Sequence, residues 1–134
     1  MNISDIQVET NERYELVSIT GEVKKAVQES GVSEGICIVS STHTTAAVTV
    51  NEDYDRDVPR DLAAACRALI KGLDVRFEHA EGNSDSHFLT SLFGQSQHLL
   101  VWDGEPVLGR WQGVFLAEFD GPRRRTVRVA VYPA

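Results

Sequence analysis

Hydrophobic and polar positions alternate along several short stretches of the chain, which is the pattern of half-buried β-strands. From Trp111 to Phe119 apolar residues are instead frequent throughout and no helix cap appears, so we predict a strand there as well. One face of this strand carries Trp111, Phe115, Ala117 and Phe119. The other face carries Gln112, Val114, Leu116 and Glu118. The second face is therefore aliphatic except for one carboxamide and one carboxylate. The turn residues Asp120-Gly121-Pro122 end this strand.

Other stretches predict the remaining elements of the fold. Strands are predicted over residues 2–9, 13–19, 35–41, 44–51 and 126–132, with a hairpin of residues 97–102 and 106–108 around Asp103-Gly104. Apolar residues at helical spacing predict helices from a Thr20 cap to about Ser30, from Asp57 to about Lys71, and from a Ser84 or Asp85 cap to Phe93. Residues 77–87 are predicted to form a loop. The mixture predicts a single compact α+β domain, with an antiparallel or mixed sheet and two to three helices.

The composition is that of an ordinary globular domain. The chain has 134 residues, 42% of them hydrophobic and 25% charged, with a formal net charge of −7. The negative charge argues against a nucleic-acid partner, and the absence of a long apolar run argues against a membrane span. The N-terminus has no basic region followed by an apolar one, so we expect a cytoplasmic protein. Cys37 and Cys66 lie among apolar residues and are expected to be buried.

Three histidines lie in polar surroundings and are candidate metal ligands. His43, His79 and His87 are accompanied by the carboxylates of Glu52, Asp55, Asp57, Glu81, Asp85 and Glu118. Imidazole nitrogens with carboxylate oxygens suit a divalent ion such as zinc, magnesium or manganese. The spacing matches no established metal motif, so hydrogen-bonded histidines without a metal are the alternative. His98 lies inside an apolar strand and is expected to be structural.

A phosphate-binding role is predicted for the basic cluster after the Gly-Pro turn. Arg123, Arg124 and Arg125 have guanidinium groups suited to phosphate, and Thr44 and Thr45 offer hydroxyl donors. The alternative for the arginines is a solvated charge run that leads into an edge strand. Glu118 lies on an aliphatic face and needs a partner, which is a metal ion, an arginine or a substrate cation.

Strand length limits which of these residues can meet. If residues 43–51 form one straight strand, His43 and Asn51 lie about 26 Å apart at ~3.3 Å per residue. Gln112 and Glu118 are similarly about 20 Å apart. Either a bulge bends these strands or the site draws on two subunits, and we favour an intersubunit site.

Three segments together give a specific resemblance. They are H-T-T-A-A-V-T-V-N-E-x-x-D-x-D-V from His43, E-G-N-S-D-S-H from Glu81 and G-R-W-Q-G-V-F-L-A-E-F-D-G-P-R-R-R from Gly109. In this order they resemble the YjbQ family, over nearly the whole chain. The resemblance implies an α+β fold that assembles as a homotrimer, with polar motif residues gathered at subunit boundaries. The chain departs from the family pattern at Arg56, where proline is expected, and in a shorter segment before His87, which leaves the role of Asp85 open.

Members of that family are assigned a secondary thiamine-phosphate synthase activity. The resemblance therefore implies a transferase that joins a hydroxymethylpyrimidine diphosphate to a thiazole phosphate and releases diphosphate. Implied catalytic residues are His43, His87 and Glu118, with His43, His79 and His87 as metal ligands. Implied phosphate or substrate contacts are Thr44, Thr45, Asn51, Gln112, Arg123 and Arg125. A metal-assisted hydrolase and a non-catalytic protein that binds a phosphorylated metabolite are the alternatives.

Overall fold

The computed structural model describes all 134 residues as eight strands and three helices. The elements are β1 Asn2–Glu9, β2 Glu15–Ser18, α1 Thr20–Ser30, β3 Gly35–Ser41, β4 Ala46–Glu52, α2 Asp57–Lys71, α3 Ser84–Phe93, β5 Ser96–Trp102, β6 Glu105–Pro106, β7 Gln112–Glu118 and β8 Arg124–Pro133. The α+β fold class is confirmed, and every predicted element is present within a few residues.

The strands form two antiparallel sheets. The larger has the order β1-β8-β3-β5-β6, and the smaller has the order β2-β7-β4. In the smaller sheet the central strand β7 pairs without a bulge from Ala46↔Glu118 to Glu52↔Gln112. The pairing therefore places the two ends of β7 far apart.

The two faces of β7 serve two separate cores. Val114 and Leu116 face the larger sheet and α1, in a core that includes Val39, Val48 and Val127. The alternate residues Phe115, Ala117 and Phe119 pack against α2 and α3. Both cysteines are buried and free. The smaller sheet therefore lies between two apolar cores, and both faces of its central strand β7 are apolar.

The outer face of the larger sheet has no helix over it. Large apolar side chains on this face are exposed, and they include Ile3, Ile36, Leu100, Trp102, Val107 and Tyr132. An uncovered apolar surface of this kind is characteristic of a protein interface. None of the three helices is long and apolar enough to cross a membrane.

Two predicted helix caps are wrong in detail. Ile19 occupies the N-cap of α1, and the Thr20 hydroxyl instead contacts Asp53 at 2.7 Å and accepts the Val114 amide at 2.9 Å. Asn83 occupies the N-cap of α3, since Asp85 is held by other side chains. Thr20 and Asp85 therefore form hydrogen bonds with residues distant in sequence instead of capping their helices.

Candidate functional site

Two of the sequence motifs meet at one end of the smaller sheet, which we call the arginine end: His43, Thr45, Glu118, Arg123 and Arg125. The Arg125 guanidinium donates from Nη2 to Thr45 Oγ1 at 2.9 Å, and the Phe119 amide donates to the Thr45 carbonyl at 3.2 Å. The H-T-T segment and the D-G-P-R-R-R segment are therefore in direct contact.

A buried ion pair between Glu118 and Arg125 is the centre of the arginine end. Arg125 Nε donates to Glu118 Oε1 at 2.8 Å, and Arg125 Nη2 donates to Oε2. Thr10 Oγ1 donates to Oε1 at 2.8 Å, and the Asp120 amide donates to Oε2 at 3.0 Å. Both carboxylate oxygens thus accept two hydrogen bonds each, and Glu118 is 0% exposed.

The hydrogen bonds determine the charge of Glu118. Burial raises its pKa, but hydrogen bonds from Arg125, the Asp120 amide and Thr10 lower it, and the resulting pKa is below the ordinary value. Of the three partners open to Glu118 in the sequence, the structure shows an arginine. A direct role for Glu118 as acid or base stays a prediction.

Arg125 was predicted to lie in a cluster before the last strand, but it belongs to β8. β8 begins at Arg124, and Arg125 pairs in register with Val8. Its side chain points inward and is 4% exposed, whereas Arg123 is half exposed and donates to Asp120 at 2.9 Å. Arg123 therefore presents its guanidinium to the surface, while Arg125 supports the site from inside.

The ring of His43 is half-buried and held by one backbone hydrogen bond. Its Nε2 accepts the Thr126 amide at 2.8 Å, so in the neutral ring the proton is on Nδ1. Burial lowers the pKa of His43, the positive charges of Arg125 and Arg123 lower it further, and Glu118 opposes them. The ring is thus held neutral with an N–H to donate. This arrangement suits contact with an anion better than metal ligation, which would need a free lone pair.

The E-G-N-S-D-S-H segment is tied to the turn that follows β7. Asn83 Nδ2 donates to Asp120 Oδ2 at 2.9 Å. Arg13 contacts Asp85 at 3.0 Å and Asp120 at 3.6 Å, and Tyr14 donates to Asp85. Asp85 is thereby held by two side chains at the start of α3. Arg13, Tyr14 and the buried Thr10 were missed by sequence reasoning, since isolated residues in a strand-connecting segment gave no motif.

His79 and His87 lie together, with ring centroids 5.6 Å apart at 78°. The carboxylate of Glu81 is 4.0 Å from His79 Nε2. The amide oxygen of Asn83 is buried without a hydrogen-bond partner. Within one chain no group of three or more His, Cys, Asp or Glu side chains is arranged to hold a metal ion. The predicted set of His43, His79 and His87 therefore remains untested as a metal site.

Asn51 and Gln112 lie at the other end of the smaller sheet. Asn51 pairs with Gly113, and Glu52 pairs with Gln112. Their side chains bond locally: Asn51 Oδ1 accepts the Glu52 amide at 2.7 Å, and Gln112 Oε1 accepts the Gly109 amide at 2.7 Å. With no bulge in β7, about 20 Å separates this end from Glu118. Within one chain the predicted site residues thus do not all meet in one place.

Comparison with known proteins shows the family. The UPF0047 protein YjbQ-like family matches residues 4–134. A UPF0047 protein of Methanocaldococcus jannaschii is 47% identical over 93% of this chain and 90% of its own, and Bacillus subtilis YugU is 39% identical over 92% and 94%. A YjbQ/UPF0047 crystal structure from Clostridium acetobutylicum has TM-score 0.91 at 41% identity, covering 96% of this chain and 99% of that one. A YbjQ-like protein of unknown function from Sulfolobus solfataricus P2 has TM-score 0.92 at 31% identity, covering 99% and 97%. The chain belongs to the UPF0047 (YjbQ-like) family.

Proposed function

We propose that the protein is a transferase with thiamine-phosphate synthase activity, which joins a hydroxymethylpyrimidine diphosphate to a thiazole phosphate. The single observation that carries the proposal is the state of His43. Its Nε2 is fixed by the Thr126 amide, so a neutral ring offers Nδ1–H beside two arginines. Fixed donors of this kind stabilise an oxyanion without reorganisation during the reaction.

The reaction needs charge stabilisation more than proton transfer. The bond between the pyrimidine methylene carbon and the diphosphate oxygen breaks, and its electron pair leaves with the diphosphate. The thiazole nitrogen lone pair forms the new carbon–nitrogen bond, and this step removes no proton from either substrate. Donors around the departing oxygens are therefore the main requirement. His43, Arg123 and the exposed hydroxyl of Thr44 would supply them.

Glu118 and Arg125 then act on the site indirectly. The carboxylate is kept anionic and fully hydrogen-bonded, and it fixes the guanidinium that also contacts Thr45. Arg125 in turn contributes positive charge next to His43. We therefore assign this ion pair a positioning role, because neither partner has a free face toward solvent.

We also propose that the active form is a homotrimer. The uncovered face of the larger sheet is one supporting observation. A second is the segment of residues 74–81, which has no regular secondary structure and is exposed throughout, including Val75 and Phe77. This segment contains His79. Packing between copies would bury its apolar side chains and enclose the site.

The proposed site includes a divalent ion, with His79 and His87 as its ligands from this chain. The two adjacent imidazoles would supply two ligands to such an ion, and further ligands would come from a neighbouring copy. Such an ion would neutralise diphosphate charge. His43 is left out of this set because its Nε2 is already occupied.

The test is synthesis of thiamine phosphate by purified protein, together with rescue of a thiamine-requiring strain. We expect His43→Ala and His87→Ala to lower the rate by about 10²-fold or more, the usual cost of one transition-state donor. Lys24→Ala is the control, since this side chain is exposed on α1, outside both the arginine end and the uncovered sheet face. Absence of product with well-folded wild-type protein would refute the transferase. Tight binding of the diphosphate without turnover would instead identify a binding protein.

A further inference from the structure

A hollow at the opposite end of the smaller sheet from Glu118 is not used by the proposed reaction. We call it the aromatic hollow; its volume is about 570 Å³ and it is lined by Glu52, Tyr54, Asp55, Arg56 and Trp111. These residues come from the last position of β4, the loop after it and the turn before β7. They include parts of the N-E-x-x-D and W-Q segments, for which the arginine end offers no role.

Two exposed aromatic rings form one side of the aromatic hollow. The Tyr54 and Trp111 ring centroids are 4.8 Å apart at 61°, and the residues are 76% and 46% exposed. Large aromatic side chains left this accessible are typical of binding surfaces rather than of free surface. Arg110 stacks over Trp111 at 4.7 Å but does not line the hollow. The indole therefore already holds one planar cation.

The loop that carries Tyr54 is held rigidly in place. The Asp53 amide donates to the Trp111 carbonyl at 2.7 Å, and this bond joins the two segments that bear the rings. Asp53 Oδ2 accepts the hydroxyls of Ser18 at 2.6 Å and Thr20 at 2.7 Å. A ligand that packs against the exposed sides of these two rings would not have to order the loop, so less of its binding energy is lost.

The polar groups of the aromatic hollow define the ligand further. Glu52 Oε2 accepts the Asp55 amide at 3.3 Å, and Asp55 Oδ1 accepts the Asp57 amide at 2.9 Å. The second oxygen of each carboxylate has no protein donor and can accept from an amino group. Arg56 forms no ion pair in the chain and can hold one anionic group. A bare anion fits poorly, because two carboxylates face one arginine.

We infer that the aromatic hollow binds an amino-substituted heteroaromatic ring that carries a phosphate. The ring packs against Tyr54 and Trp111, its amino group donates to Glu52 and Asp55, and its phosphate pairs with Arg56. Each of these contacts uses a group that the fold leaves without a protein partner on that side. The inference does not depend on the transferase, since binding requires no turnover.

The experiment uses AMP as the probe and follows the two tryptophan indole N–H signals by NMR. Trp102 is exposed on β5, outside the hollow, and serves as the internal reference. We expect AMP to shift the Trp111 signal and leave the Trp102 signal unchanged. Adenosine should bind more weakly because it lacks the phosphate, and ribose 5-phosphate should not shift Trp111 because it lacks the ring.

Variants then separate the contacts. Tyr54→Ala should weaken AMP binding by about tenfold, the size of a stacking contact with one base. Arg56→Ala should abolish the preference for AMP over adenosine, whereas Arg110→Ala is the matched control and should preserve it. Circular dichroism and thermal unfolding establish that each variant is folded. No shift of Trp111 with AMP, equal shifts of both tryptophans, or equal binding of ribose 5-phosphate would overturn the inference.

Discussion

Replacement of Glu118 by glutamine removes the negative charge from the buried ion pair and leaves its shape nearly unchanged. Arg125, 3% exposed, would then keep its positive charge with only hydroxyl, amide and carbonyl partners. Loss of one partner from a buried pair costs about 3–5 kcal/mol, because the remaining charge stays desolvated. Small domains have a total stability of about 5–15 kcal/mol, so the variant should fold but with a large part of its stability lost.

The measurement is urea unfolding of wild type and variant, compared at equal m-value. The control is the double variant Glu118→Leu/Arg125→Met, in which both charges are replaced by apolar groups. It should lose much less stability than the single variant, since no charge remains buried. A single variant within about 1 kcal/mol of wild type, the range of surface pairs, would refute our description of the ion pair.

The same variant has a pH signature. The pKa of folded Glu118 lies below its ordinary value, so the carboxylate contributes stability above the unfolded-state pKa, and this contribution is lost as pH falls through the folded pKa. Glu118→Gln should therefore show a flatter decline of stability in acid than wild type. An equal slope in both proteins would mean that another group causes acid unfolding.

Three further predictions follow from single sites. His43 should titrate below the ordinary histidine pKa of about 6.5 when its ring is followed by NMR, and a titration at or above that value would contradict its burial beside two arginines. Gly113→Ala should cost about 1–3 kcal/mol in urea unfolding, because the added Cβ would lie 2.3 Å from Asp53 Cβ, while Gly72→Ala, with its nearest atom at 3.5 Å, should cost far less. Leu100→Glu on the uncovered sheet face should convert a trimer to monomers in light scattering, and a wild-type monomer would contradict the assembly.

The elements that sequence predicted best are those in which one pattern had no competitor. β7 showed a run of apolar residues without a helix cap, and α2 showed apolar residues at helical spacing between Asp57 and Lys71. The start of β8 was placed too late because an arginine reads as a surface residue. Arg125 nevertheless faces inward. The carboxylate of Glu118, at the end of β7, pairs with its guanidinium and offsets the cost of burying that charge. An ion pair between two strands depends on the tertiary structure, so the local sequence pattern does not predict it.

The candidate site was predictable in part for the same reason. Strand length alone predicted that Gln112 and Glu118 are far apart, and the unbroken pairing of β7 agrees. The partners of Asp85 were not predictable, because Arg13 and Tyr14 are 72 and 71 residues away in sequence. A resemblance to known sequences identified which residues belong together, but it carried no information on how each side chain is engaged.

The separation of the two ends has a consequence for catalysis. A substrate as small as a pyrimidine diphosphate cannot extend over about 20 Å of strand and touch His43 and Trp111 of the same chain. If packing in the proposed trimer sets the aromatic hollow of one copy against the arginine end of the next, AMP bound in the hollow should inhibit the proposed transferase reaction competitively with the pyrimidine diphosphate. If the two ends stay apart in the trimer, AMP should bind without such competition, and the hollow is then a site of its own. Competitive inhibition would therefore indicate that the two ends meet between subunits, and its absence would indicate that they do not.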